Sequence, residues 1–559
     1  MNEETADVSG DFTFALSWRG KAVVLLIAFA GGLLYAAALP PLNWSFAGLF
    51  TLIPLIYCGI FYRWFFRLLV GWVWGLGWAF FSYNFLREIH PAVPFMLAPV
   101  LALWPAVFTL LAGFATGFFL DYRKVQKVPG QVDMPPWGMT CYLLCAAMLF
   151  TILEWTRSRL FVWNDLSVTL WKIPEAMQIA RITGRYGVSF LLTSLNGALF
   201  ALIFCRKRWL PAAILLIYPV IALLYGFHRM HTPEIFHDKV IWKCALIQGD
   251  LPQQRFAGKE GIIKAVDTYT NLSEKFKDSG ADTIIWPECA VPIPLRCNHP
   301  LGEYFRKKAV SLQHTLLLGT LDFSVDGGMT NSALLISPEG RLLGKYDKFH
   351  RVPYGEYVPL RTYLPESWIE AFSMGRDLTA GNELKILPVK EDVKAGVAIC
   401  YEGVFSYVSA GFAANGANVL AALSNDVWYP ESSEPEQHLA NAVMRCVETG
   451  LPMVRCGNNG GSGVVNRRGE FSSYIGTQSA RPELLREQAS GIVTVELEKN
   501  PQLTPAVRYP DWIIALFGFL LVSEFCLISY FRNRGRKKPV LKVRTSPPAP
   551  APEKIRSDV

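Results

Sequence analysis

Charge is scarce in this chain. Asp, Glu, Lys and Arg make up 18% of its 559 residues, while 51% are hydrophobic. Soluble domains carry about 25% charged residues, so part of the chain is expected to live outside water. Histidine is scarce too, with eight in all, and no HExxH occurs, which argues against a catalytic metal. The eleven cysteines are spread thinly and form no CxxC, so neither a zinc site nor a disulfide framework is indicated. No cofactor is expected.

What the chain has in quantity is long apolar runs. A helix needs about 20 apolar residues to cross a bilayer. Seven candidates come early, near 22–39, 46–61, 68–85, 93–120, 138–155, 187–204 and 209–226, and an eighth follows near 511–531. Residues 232–510 between them have ordinary globular composition. Lys and Arg mark the cytoplasmic side of short loops. Arg19 and Lys21, Arg63 and Arg67, Arg123, Lys124 and Lys127, Arg206, Lys207 and Arg208, and the group from Arg532 to Lys538 all fall in alternate connections. The connection 156–186 is the exception, with Arg157, Arg159, Lys172, Arg181 and Arg185 on the opposite side.

This pattern predicts five segments: a cytoplasmic 1–21, a membrane domain 22–231, an extracytoplasmic domain 232–510, a last span 511–531 and a cytoplasmic basic, Pro-rich tail 532–559. The first 18 residues are acidic and polar, so span one is read as an uncleaved anchor. The formal charge of +8 is then mostly a topology signal, and no nucleic-acid partner is expected.

The outer segment reads as α/β. Short β-rich runs recur at 240–248, 282–288, 314–323, 331–338, 395–402 and 418–425. Between two of them, Ile262, Ile263, Val266, Tyr269, Leu272 and Phe276 repeat at helical spacing. In such folds reactive groups gather where strands end. Glu288 follows an apolar strand and a proline in TIIWPECAVP. Lys348 and Glu356 sit in the loop GKYDKFHRVPYGEYVPL, and Cys400 ends the run GVAIC.

Thiol, carboxylate and amine suit acyl transfer. A thiol with pKa ~8.5 is only a few per cent thiolate at pH 7 and needs a base or a positive neighbour. A desolvated carboxylate can take its proton, and an ammonium can stabilise an oxyanion. Taken singly, each residue has a plainer reading: Cys400 as a small core residue, Glu288 as a helix-terminal carboxylate, Lys348 as a surface lysine. Cys289 is a rival nucleophile, although an extended backbone would turn its side chain away from Glu288. His350 is a loop histidine and is not assigned.

Taken together, WPE, YDKFHRVPYGEYVP, CYEGVF and SNDVWY, in that order, resemble the nitrilase superfamily. Within it, the loop form K-x-H-x-V-P-[FY]-G-E-[FY]-V-P resembles that of the apolipoprotein N-acyltransferases of the bacterial envelope. LPPLNW (39–44), ITGRYGVSFLLTSLNGALFAL (182–202) and QGDLPQQRF (248–256) look like that family too.

The resemblance implies a membrane domain of about eight transmembrane helices plus an extracytoplasmic nitrilase-like α-β-β-α sandwich. It implies a Glu-Lys-Cys triad of Glu288 as base, Lys348 as oxyanion stabiliser and Cys400 as nucleophile, with Glu356, Tyr401 and Glu402 in substrate-binding or supporting positions. The implied donor is a phospholipid, usually phosphatidylethanolamine. The acceptor is the α-amino group of the diacylglyceryl-cysteine that begins an apolipoprotein. The implied setting is the inner membrane of a bacterium with the catalytic domain in the periplasm, as a monomer. One stretch departs from the family: VWNDLSVTLW (162–171) replaces a Gly-Phe-Pro-Trp-like turn. The alternatives are a membrane-anchored nitrilase-type amidase, or a non-enzymatic envelope or transport protein. Transport would draw on intramembrane charges, which are few beyond Glu154 and Glu524.

Overall fold

The computed structural model describes residues 17–119, 126–128, 131–133, 135–252, 258–295, 300–367, 369, 377–429, 432–476 and 486–535. The tail from 536 on, Arg123 and Lys124, and residues 253–256 of QGDLPQQRF lie outside the described residues.

Among the described residues, seven helices are long and apolar enough to cross a membrane: Trp18–Ala38, Trp64–Ser82, Val93–Phe119, Pro136–Ser158, Arg185–Phe204, Trp209–His231 and Trp512–Tyr530. Their outer faces expose Leu26, Phe65, Phe95, Phe114, Leu224 and Phe519. Their inner faces use small residues to bring backbones together, as packing without a hydrophobic drive requires. A Cβ on Gly32 would lie 2.0 Å from the Trp74 carbonyl oxygen, and one on Gly71 would lie 2.3 Å from that of Pro105.

The expected span at 46–61 is not one membrane-length helix. It is a short 3-10 turn, Ser45–Leu49, followed by the nine-residue helix Ile53–Phe61. The break survives at this depth because neighbours answer the freed backbone groups. Asn196 donates to the Gly48 carbonyl at 2.8 Å and accepts from the Leu52 N–H at 3.0 Å, and Trp74 Nε1 donates to the Thr51 carbonyl at 2.8 Å. Periodicity in the segment itself could not report a side chain on another helix.

The α/β domain is built on two six-stranded sheets. One runs Ala489–Glu498, Lys239–Gln248, Thr283–Ile285, Thr315–Phe323, Met329–Ile336, Leu342–Asp347. The other runs Phe471–Tyr474, Gly463–Val465, Met453–Gly457, Val419–Ser424, Val393–Ile399, Ile386–Lys390. The central pairs are parallel and the edge pairs antiparallel.

Strand alternation sorts side chains into two layers. Ala245, Ile247, Leu316 and Leu318 join a core with helix residues Val266 and Tyr269, while Cys244, Leu246, Leu317 and Leu335 join the core that includes the second sheet. Cys456 donates to the carbonyls of Ile247 and Ile285 across the gap between sheets. Helices Gly258–Glu274 and Pro300–Ser311 cover the first sheet; Ser406–Ala414 and Glu434–Thr449 cover the second. This is the expected α-β-β-α sandwich.

Connection 156–186 packs between the two halves, and most of it is buried. Its excess of arginine has a structural cause. Asp165 is paired with Arg157 and, at 2.8 Å, with Arg185, and all three are buried. Glu154 also turns to this connection, accepting from Tyr35, Ser189 and the Leu166 N–H.

Overfilling a backbone contact of this kind costs about 1–3 kcal/mol. Gly32→Leu is expected to lower the melting temperature of the detergent-solubilised chain. Gly117→Leu is the matched control, since nothing lies within 4 Å of its Cβ position. Equal melting temperatures for the two variants would contradict the packing at Gly32.

Candidate active site

Strand ends position the three predicted groups. Thr283–Ile285 leads through Trp286 and Pro287 to Glu288, Leu342–Asp347 leads directly to Lys348, and Val393–Ile399 leads to Cys400. Lys348 Nζ lies 3.6 Å from Glu288 Oε1 and 3.0 Å from Glu356 Oε1. The Cys400 thiol and the Glu288 carboxyl are close enough to shift each other's proton affinity. Cys400 takes a left-handed backbone, φ 52°, an unusual conformation for a side chain with a Cβ, and it ends the strand at the thiol.

Each supporting residue has a definite task. Glu356 accepts from Lys348 and from the Val352 N–H at 2.9 Å, which folds its own loop back onto the lysine. Glu402 is fully buried and accepts from Tyr346 Oη and from the N–H groups of Phe349, His350 and Ile399, at 2.7–2.9 Å. It therefore ties the Lys348 loop to the Cys400 loop. Tyr401 donates to the Val162 carbonyl at 3.2 Å, and its ring lies 6.0 Å from that of Trp163. The departing stretch 162–171 thus reaches the residue beside Cys400.

Burial dominates the electrostatics. It pushes the Glu288 carboxyl above the ordinary carboxylate range; Lys348 opposes this and Glu356 adds to it. Burial, and then Glu288, push the Cys400 thiol well up, with Lys348 pulling the other way. For Lys348, burial works against the charge, but Glu356 and then Glu288 outweigh it and hold the amine above its ordinary value. The result is a fixed cation beside a thiol and a carboxyl that both resist a second negative charge, so one proton can be passed between them. Glu402 is pushed up to about 7 by burial, against its four donors.

His350 is brought down to about 4, by burial first and then by Lys348. Its Nδ1 meets Tyr407 Oη at 2.5 Å, and its ring lies 3.8 Å from that of Phe405. Cys289 departs from expectation. Its backbone is left-handed, φ 48°, not extended, and its thiol reaches Asn331 Oδ1 at 3.8 Å.

Asn331 is a residue the motifs did not single out. Its Nδ2 donates to Glu288 and to Glu356, both at 2.8 Å, bridging two carboxylates that face Lys348. A polar side chain within the run NSALLISP was the available signal. Asp426, His438 and Arg455 were missed as well. Asp426 follows strand Val419–Ser424, pairs with Arg455 and lies 3.1 Å from His438 Nδ1. Ligand atoms of Cys400, Asp426 and His438 come within 4.8 Å of one another. Asp426 already faces Arg455, however, so a metal ion there would meet a fixed cation.

Comparison with known proteins gives two family matches: residues 243–491 to carbon-nitrogen hydrolase, and residues 31–198 to the apolipoprotein N-acyltransferase N-terminal domain. An apolipoprotein N-acyltransferase of Geobacter metallireducens is 33% identical over 344 residues, covering 59% of this chain and 65% of the relative, just under two thirds of its length. One of Rickettsia typhi is 30% identical, covering 59% of this chain and 67% of the relative. One of Allorhizobium ampelinum is 29% identical over 479 residues, covering 80% and 87%. With both halves of the chain matched in order and its strand ends carrying thiol, carboxylate and amine, the chain belongs to the apolipoprotein N-acyltransferase family.

Proposed function

We propose that this chain transfers an acyl chain from a phospholipid to the α-amino group of the diacylglyceryl-cysteine of apolipoproteins, through a thioester on Cys400. The observation that carries this reading is the buried Glu288–Lys348–Cys400 cluster at three strand ends, beside a membrane domain whose loop touches Tyr401.

In the first half-reaction Glu288 takes the thiol proton, and Cys400 sulfur attacks the ester carbonyl. Lys348 stabilises the oxyanion, a role worth roughly 3–4 kcal/mol for one donor. Collapse breaks the ester C–O bond, Glu288 returns the proton to the departing lysophospholipid oxygen, and the thioester remains. In the second half-reaction the lipoprotein amine attacks the thioester, its proton passes to Glu288, and the amide forms as the thiol is restored. Such a thioester must be kept from water, and burial supports transfer over hydrolysis. Phosphatidylethanolamine fits the donor role. The basic loops support an inner-membrane orientation with residues 232–510 in the periplasm and both termini inside.

Three outcomes test the reading. Incubated with phosphatidylethanolamine alone, the chain is expected to carry one acyl group on Cys400, seen by intact mass and released by hydroxylamine. Cys400→Ser is expected to abolish turnover, and an adduct on Cys289 instead would move the nucleophile.

Acylation is expected to fall as pH drops through the pKa of Glu288, because the protonated carboxyl cannot accept the thiol proton. Burial raises that pKa, so the acid limb lies above the ordinary carboxylate range. Glu288→Gln is expected to lose acylation and this limb together; an unchanged acylation rate would name another base.

In intact cells, an impermeant thiol reagent is expected to label cysteines introduced at exposed positions in 232–510 but not in 206–208. Labelling of the latter alone would reverse the orientation.

A further inference from the structure

His438 is a buried titratable side chain that the proposed chemistry does not use. It sits on helix Glu434–Thr449 with 3% of its surface exposed. Its Nδ1 is 3.1 Å from Asp426 Oδ1, and its Nε2 is 3.0 Å from the backbone carbonyl oxygen of Cys400. A carbonyl oxygen can only accept. Asp426 can also only accept when ionised, and it is kept below the ordinary range: burial pushes it up, but Arg455 and His438 more than offset that. Neutral imidazole has one N–H, so two accepting partners require protons on both ring nitrogens.

Glu434 Oε1 lies 3.7 Å from Nδ1 on the same helix, but burial and then Asp426 push its carboxyl well up, so Asp426 is the ring's anionic partner. Arg455, from strand Met453–Gly457, faces Asp426 rather than the ring nitrogens. Tyr429 stands near the Glu434, Asp426 and Cys400 groups, and the Trp163 ring centroid lies 5.9 Å from the imidazole. A ring nitrogen of His438 also comes within 4.8 Å of the Cys400 sulfur.

We propose that His438 is a doubly protonated positioning residue for the nucleophile: an imidazolium, braced on Asp426, that holds the Cys400 carbonyl and places a second positive charge near the thiolate. Lys348 meets the carboxylate side of the site and His438 the main-chain side. The hydrogen bond also holds Cys400 in its left-handed conformation, φ 52°. The proposal rests on Cys400 being the nucleophile.

The test is the rate at which iodoacetamide alkylates Cys400 in the full-length chain in detergent, resolved by peptide mass spectrometry alongside acyl transfer. In H438Q the amide nitrogen can still donate to one of these acceptors but carries no charge. Alkylation of Cys400 and kcat are expected to fall about tenfold, with the phospholipid KM unchanged and the melting temperature near that of the unaltered chain. H438L, which keeps neither bond, is expected to fall further. A purely structural histidine would leave H438Q alkylated at the original rate, and that result overturns the proposal. Should H438Q not fold, D426N takes its place. Its amide can donate to Nδ1 and so removes the need for the second proton; a tenfold loss supports the proposal and an unchanged rate overturns it. If the unaltered chain acquires its acyl group anywhere but Cys400, the nucleophile assignment itself falls. If Cys400 is acylated equally fast with and without the histidine, only its role falls.

Discussion

Helix Glu434–Thr449 is buried along its whole length, and that constraint organises the molecule. A buried polar group without a partner costs about 1–3 kcal/mol, so its glutamates, Gln437, His438, Asn441 and Arg445 need partners on both sides. Toward the membrane domain, Gln437 accepts from Trp163 Nε1 and Asn164 and donates to the Pro40 carbonyl, Asn441 donates to Asn164, and Glu448 accepts from the Arg185 N–H. Toward the α/β domain, Arg445 donates to the Val404 carbonyl and His438 meets that of Cys400. The Cys400 loop is therefore joined to the membrane helices through one buried helix.

The same burial sets the chemistry. Removing Glu288 and Cys400 from water makes both reluctant to carry charge, and one cation, Lys348, keeps the pair from becoming inert. In water this cluster would be three independent groups at their ordinary values. In the protein interior their interactions are strong enough for one proton to decide which of them reacts. Asn331, Glu356 and Glu402 do no bond-making in this scheme. They fix the loops so that the cluster is assembled in advance.

The departing stretch 162–171 shows how a local difference enters the site. Val162 receives the Tyr401 hydroxyl, Trp163 lies against both Tyr401 and His438, and Asp165 gathers two buried arginines behind them. Arg157 and Arg185 had looked like exceptions to the charge rule for loops. They are partners of a buried carboxylate, and a rule about exposed connections does not govern them.

Most of the architecture was legible in residue order. Apolar length marked seven membrane-length helices, alternation marked the strands, and the turn-rich motifs between them marked Glu288, Lys348 and Cys400 as ends of strands. These are local properties, set by spacing along a few residues. The broken helix at 45–61, the left-handed turn at Cys289, and the partnerships of Asn331 and His438 were not legible. The break, Asn331 and His438 each depend on a group far away in the chain: Asn196 for the break, Glu288 and Glu356 for Asn331, and the Cys400 carbonyl for His438. By itself, then, the sequence determined which elements form and which reactive groups they carry. Only the tertiary structure decided which buried polar groups answer one another, because a hydrogen bond between distant segments leaves no period or spacing in either.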